Sequence, residues 1–152
     1  MNASVNWYFQ SIDEQFGSTS VQKYLHNIRY GNEDLSGDFS SYWMESSLKI
    51  SPIEQVELLT QLQNNSLGFA PENMNTVKDA IYISSSAFGD FYGKTGTGRV
   101  NGQDINGWLI GFVENADNTY FFATNIQREK QATGEKATEI TLSILSDLNI
   151  WK

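Results

Sequence analysis

Three short runs of aromatic and β-branched residues in the second half of the sequence limit the folds open to this chain. The runs are DFYGKTG from Asp90, INGWLIGFVEN from Ile105 and NTYFFATNI from Asn118. Glycine-containing or NADN segments separate them, and these are too short to hold the crossover helix that parallel strands need. The sequence therefore predicts three antiparallel strands joined by hairpins.

The remainder of the chain has helical spacing of apolar residues. Ser51, Pro52 and Glu54 form a capping-box pattern that predicts a helix start. Pro71 predicts the start of a further helix over 71–83. Apolar residues three and four positions apart predict three more helices, over 3–16, 19–28 and 134–150. Ser18 is the predicted N-cap of the second of these. Their apolar residues are Val5, Tyr8, Phe9, Ile12 and Phe16, then Val21, Tyr24, Leu25 and Ile28, and then Ile140, Ile144, Leu145 and Leu148.

Helices followed by a three-stranded antiparallel meander and a closing helix indicate an α+β domain. The chain has 152 residues, of which 39% are hydrophobic, enough for one core. No repeat, linker or low-complexity tract divides it, and residues 1–152 are treated as one unit.

Charge and composition exclude several classes of function. The net charge of −8 argues against nucleic acid or an anionic membrane as a general partner, because both require clustered Lys and Arg. The chain has no cysteine and one histidine, His26, so we expect no disulfide, metal site or cofactor. No run is long and apolar enough to cross a membrane, and no export signal follows Met1.

The segment YGKTGTG, Tyr92 to Gly98, places a lysine among glycines and threonines just before an apolar strand. It is compatible with a hairpin edge, a phosphate-binding loop or a strand that binds a carboxylate. The phosphate-loop reading fails on context, because that motif enters a helix after an earlier glycine, whereas this segment leads into a strand. The other two readings remain open from the residues alone.

Four motifs occur in one order along the chain: SVN at Ser4–Asn6, YGN at Tyr30–Asn32, YWMESSLKIS at Tyr42–Ser51 and KTGTG at Lys94–Gly98. In this order the sequence resembles the penicillin-recognising serine proteins, and most closely class D β-lactamases and the sensor domains of BlaR/MecR-type signal transducers. The resemblance implies a partial transpeptidase-like fold and a β-lactam antibiotic as ligand.

The resemblance also assigns roles to individual residues. Lys94 would place its charge beside the β-lactam carboxylate, and the hydroxyls of Thr95 and Thr97 would donate hydrogen bonds to it. The backbone N–H of Thr97 would be one of two oxyanion-hole donors. Gly96 and Gly98 would keep the strand bare for the ligand, and Ser4, with Lys94, would relay a proton to the β-lactam nitrogen.

The family acylates through a serine in an S-x-x-K motif that precedes S-x-N. Two strings have this pattern, Ser20–Lys23 and Ser46–Lys49, but both follow Ser4. We therefore expect neither to be the nucleophile, and we interpret the chain as the C-terminal portion of a domain whose acylating segment and first strands are missing. Such a portion would leave a sheet edge uncovered, and the missing segment of its own domain would be a partner.

Asn6 bears on whether the parent is a sensor or a hydrolase. Class D hydrolases usually carry a hydrophobic residue here, beside a carboxylated lysine kept stable by an apolar pocket and a tryptophan that Trp43 matches. An amide would favour loss of that carboxyl group and a long-lived acyl-enzyme, which suits a sensor on the outer face of the bacterial plasma membrane. The alternatives are a fragment of a class D β-lactamase and a non-functional remnant.

Overall fold

The computed structural model describes residues 4–152, and within them it contains five helices and one antiparallel sheet. The α+β class is confirmed. The strands occur in the sheet in the order β1-β2-β3-β4. The elements in chain order are α1 (Asn6–Phe16), α2 (Ser18–Asn27), α3 (Pro52–Gln63), α4 (Pro71–Ala80), β1 (Tyr82–Ser86), β2 (Gly89–Val100), β3 (Gln103–Glu114), β4 (Thr119–Gln127) and α5 (Gly134–Asp147).

The sheet has four strands, one more than the sequence predicted. The prediction of a helix over 71–83 is wrong beyond Ala80, because Tyr82–Ser86 forms β1. β1 pairs with the start of β2, and the Tyr82 ring packs edge-to-face on Tyr92 with centroids 5.5 Å apart. Cross-strand aromatic pairing of this kind stabilises a strand that local helical spacing does not reveal.

Helices pack on both faces of the sheet. On one face Phe91 and Leu109 pack with Leu145 of α5. On the other face Phe112 packs with Leu59 of α3 and with Ile81, which follows α4. Neighbouring side chains in a strand point to opposite faces, so the two cores draw on alternate residues of β2 and β3.

The predicted apolar stripe of α1 and part of the stripe of α5 are exposed in the described chain. In α1 no residue is buried, and Tyr8 and Phe16 are more than half exposed. In α5 the small residues Ala137 and Thr141 contact the sheet together with Leu145, while Leu148, just after the helix, is 61% exposed. Large areas of exposed apolar surface are uncommon on monomeric soluble proteins and mark contact surfaces.

Helix ends follow the sequence signals in part. The predicted capping box is present, since Ser51 Oγ accepts from Glu54 N at 3.2 Å and Ser51 N donates to Glu54 Oε2 at 2.8 Å. The predicted cap at Ser18 is displaced by one residue, and Gly17 stands at that position with φ +76°.

None of the helices between residues 4 and 152 combines the length and apolarity needed to cross a bilayer. Ala3, with which the first predicted helix began, lies outside the described residues.

Candidate functional site

The KTGTG segment lies where β2 has an open edge. β1 pairs with β2 only between Gly89 and Tyr92, and the next donor, Gly93 N, bonds to Ile81 O at 2.7 Å. Every second residue of a strand directs its N–H to the same side. The N–H groups of Thr95 and Thr97 therefore point to an edge that no other described strand covers.

Lys94 and Ser4 meet beside this edge. Lys94 Nζ donates to Ser4 Oγ at 2.6 Å and to Thr95 O at 2.6 Å. Ser4 lies two residues before the first residue of α1 and has a left-handed backbone with φ +46°. Burial lowers the pKa of Lys94 below its ordinary value. An amine with a lowered pKa, bonded to a hydroxyl, is suited to exchange a proton through that hydroxyl.

Thr97 is held by the first turn of α5. Its Oγ1 accepts from Gly134 N at 2.9 Å, one of the N–H groups that a helix start leaves without an intrahelical partner. Because the oxygen accepts this bond, the hydroxyl hydrogen of Thr97 is free to point to a ligand. A side chain at Gly134 would come 2.8 Å from Thr95 Cβ, so glycine permits the close approach.

The two glycines of the segment have different surroundings. A methyl group at Gly96 would meet only Trp108 Cβ at 3.7 Å, an ordinary contact distance. Gly96 is exposed, which agrees with a strand left bare for a ligand. A methyl group at Gly98 would instead overlap the Glu45 carboxylate. The Glu45 side chain thus fills the space beside Gly98, a contact that the sequence did not reveal.

Asn6 and Trp43 belong to adjacent segments. Asn6 Nδ2 donates to Met44 Sδ at 3.3 Å, next to Trp43. The Trp43 ring packs edge-to-face on Tyr42 with centroids 4.8 Å apart. Tyr42 OH in turn donates to Asp13 Oδ2 of α1 at 3.0 Å. The start of α1 and the tryptophan segment are thereby held together.

The YGN motif positions the tryptophan segment. Gly31 has φ +51°, and any side chain there would overlap Lys49 O. Asn32 Oδ1 accepts from Lys49 N at 2.8 Å, and Asn32 Nδ2 donates to Ser47 O at 2.9 Å. Within the described chain the motif therefore fixes the backbone of residues 47–49.

The two S-x-x-K strings differ in local structure. Ser46–Lys49 lies in an irregular segment, whereas a serine and lysine three apart share a face only in a helix. Ser20 and Lys23 lie in α2. The serine to which Lys94 donates is Ser4, which belongs to neither string.

Sequence reasoning missed Glu45 and Asn106. Glu45 Oε1 accepts from Asn106 Nδ2 at 2.8 Å, and Asn106 Oδ1 accepts from Asn125 Nδ2 at 2.6 Å. Asn106 stands opposite Gly98 in the β2–β3 register. An amide in a strand otherwise rich in apolar residues was the only sequence signal.

Comparison with known proteins places this geometry in a family. The profile of the penicillin binding protein transpeptidase domain matches residues 1–146. Regulatory protein BlaR1 of Bacillus licheniformis is 48% identical over 151 residues, which are 99% of this chain and 25% of that protein. The methicillin resistance mecR1 protein of Staphylococcus aureus is 42% identical over 150 residues, 99% of this chain and 26% of that protein. The chain thus spans about a quarter of these relatives.

Solved structures agree with the sequence relatives. The C-terminal domain of the Bacillus licheniformis BlaR penicillin receptor superposes with a TM-score of 0.93 at 47% identity, covering 100% of this chain and 61% of that one. A class D β-lactamase from Bacillus subtilis gives a TM-score of 0.91 at 35% identity, with coverages of 100% and 62%. The resemblance inferred from the motifs is confirmed, and the chain belongs to the family of penicillin-binding transpeptidase domains.

Proposed function

We propose that this chain forms one wall of a β-lactam-binding site, as the C-terminal portion of a BlaR/MecR-type antibiotic-sensor domain. The observation that carries the proposal is the contact of Lys94 Nζ with Ser4 Oγ at 2.6 Å, beside the open edge of the strand that bears Thr95 and Thr97. A cation, two hydroxyls and outward N–H groups match the carboxylate and the carbonyl of a β-lactam.

Each group has one task in this proposal. The ammonium of Lys94 and the hydroxyls of Thr95 and Thr97 hold the ligand carboxylate. The N–H of Thr97 donates to the lactam carbonyl oxygen, where negative charge develops during acylation. Ser4, bonded to Lys94, passes a proton to the lactam nitrogen as the ring opens.

The acylating serine is proposed to lie outside these 152 residues. The solved BlaR receptor domain is covered to 61% by this chain, so that domain contains further residues with no counterpart here. The exposed apolar residues of α1 and α5 and the unpaired side of β4 are surfaces that such residues would cover. In this reading the parent domain lies on the outer face of the plasma membrane.

Asn6 supports a sensor over a hydrolase. Its amide bonds to Met44, beside Trp43, and so places a polar group near the segment that would otherwise keep a carboxylated lysine dry. Loss of that carboxyl group would remove the base for deacylation and leave a persistent acyl-enzyme.

The first experiment measures nitrocefin turnover by the purified chain. We expect no turnover and no penicillin attached after denaturation, because the acylating serine is proposed to lie outside these 152 residues. Rapid turnover, or a covalent adduct on mass spectrometry, would contradict the absence of a nucleophile. A chain without folded secondary structure would instead favour a non-functional remnant.

A second experiment joins the chain to the preceding segment of a BlaR1 sensor domain and measures the lifetime of the acyl adduct. We expect a long-lived adduct that shortens in the Asn6→Val variant. Fast release from the unmodified sequence would favour the class D β-lactamase alternative. Asn73→Val, a change of the same kind in α4, serves as the control.

A further inference from the structure

The Glu45 carboxylate lies against Gly98 of the KTGTG segment. The side chain occupies the space that a Cβ at Gly98 would fill, and Asn106 Nδ2 holds Oε1 at 2.8 Å. The Asn106 side chain is itself held by Asn125 Nδ2 at 2.6 Å. Glu45 also has a left-handed backbone with φ +48°, an uncommon conformation for a residue with a side chain. The carboxylate is therefore held at one place beside Gly98.

The charge of Glu45 has no cationic partner within the described chain. Its hydrogen bond comes from a neutral amide, and it forms no ion pair with any residue from 4 to 152. The nearest cation along β2, Arg99, is already paired, with Nε 2.7 Å from Asp104 Oδ1. A fixed carboxylate without a counter-ion favours positive and disfavours negative groups placed near it.

If the proposed function holds, the placement of the β-lactam along β2 decides which of its groups reaches Glu45. In a penicillin the carboxylate and the acylamino side chain lie at opposite ends of the bicyclic nucleus, with the lactam carbonyl next to the side chain. A carboxylate held at Lys94 and a carbonyl held at the N–H of Thr97 direct the acylamino group farther along β2. The next residue in that direction is Gly98, where the Glu45 carboxylate lies.

We propose that Glu45 is a specificity-determining residue that selects β-lactams by the charge of their acylamino side chain. A side chain bearing an ammonium gains an ion pair at Glu45, and one bearing a second carboxylate is repelled. This inference rests on the proposed function, because it requires the ligand carboxylate to lie at Lys94.

Three penicillins that differ in one substituent test the inference. Benzylpenicillin has an uncharged benzyl side chain, ampicillin adds an ammonium and carbenicillin adds a carboxylate at the same carbon. Their affinities for the chain are measured by titration of amide chemical shifts between Lys94 and Gly98. We expect ampicillin to bind about fivefold more tightly than carbenicillin, as partly exposed charge pairs give, with benzylpenicillin between them.

The variants separate charge from structure. Glu45→Gln retains an oxygen that accepts from Asn106 and should bring the three affinities together, while Glu45→Asp should keep their order. Glu57→Gln removes the same charge from an exposed position of α3 and should leave the order unchanged. Equal affinities in the unmodified chain, or an unchanged order in Glu45→Gln, would overturn the role of Glu45. If no penicillin shifts these amides, the proposed function fails and the inference with it.

Discussion

Replacing Thr97 by valine tests whether α5 and the KTGTG strand act as one unit. Valine keeps the branched shape but removes Oγ1, the acceptor of the Gly134 N–H at 2.9 Å. Gly134 is buried, so its N–H would lose its protein partner without ready access to water. Thr97→Ser is the matched control, since it keeps the oxygen and loses only a methyl group.

The size of the effect follows from the lost hydrogen bond. A buried donor left without a partner costs about 1–3 kcal/mol. For a chain of this length, 1 kcal/mol corresponds to a melting temperature change of about 2–4 °C, so a cost of about 2 kcal/mol lowers Tm by about 4–8 °C. Thermal unfolding followed by circular dichroism measures this shift.

Hydrogen exchange at Gly134 locates the effect. We expect faster exchange of its amide in Thr97→Val and little change in Thr97→Ser. Equal Tm values for the two variants, with unchanged exchange at Gly134, would refute the coupling of α5 to the site. Penicillin affinity should also fall in Thr97→Val, because the proposed carboxylate donor is lost.

Three further predictions test other contacts. Burial lowers the pKa of Lys94, so the folded chain releases this proton at lower pH than the unfolded chain. The free energy of unfolding should therefore rise with pH between the native pKa of Lys94 and 10.5. Urea titrations of Lys94→Met should show that this rise is abolished. Gly31→Ala should destabilise the chain more than Gly17→Ala, because both residues have positive φ but only Gly31 faces a backbone carbonyl. Each substitution costs about 1–2 kcal/mol for the left-handed backbone. Equal losses of stability in the two variants would contradict the steric argument. Burial raises the pKa of Asp13 and the Tyr42 hydroxyl partly offsets this rise, so Tyr42→Phe should raise that pKa further in an NMR titration; a lowered pKa would show that the bond does not stabilise the carboxylate.

The sequence predicted the parts of the fold that depend on local chemistry. The capping box at Ser51 and the hairpins of β2, β3 and β4 need only short-range signals. β1 was missed because Tyr82–Ser86 follows a helix directly and is defined by pairing with β2. The apolar spacing of α5 gave the helix and Leu145 of its buried face, but not the small residues Ala137 and Thr141 that complete that face.

Of the site residues, too, the sequence predicted some and missed others. Motif order identified Lys94 and Ser4 as a pair, and the structure brings them together. Whether those residues act as proposed on a β-lactam stays a prediction. Glu45 and Gly134 were not found, because each acts on β2 through a contact between residues far apart in the chain.

By itself the sequence determined most of the helices, the hairpins that join β2, β3 and β4, the negative net charge and the family, because periodicity, turn residues and ordered motifs are local or additive properties of the chain. Only the tertiary structure decided which side of β2 stays open, that Thr97 is bonded to the start of α5, and that a carboxylate lies against Gly98. These features depend on the packing of side chains from distant segments, and such packing is fixed only when the whole chain folds.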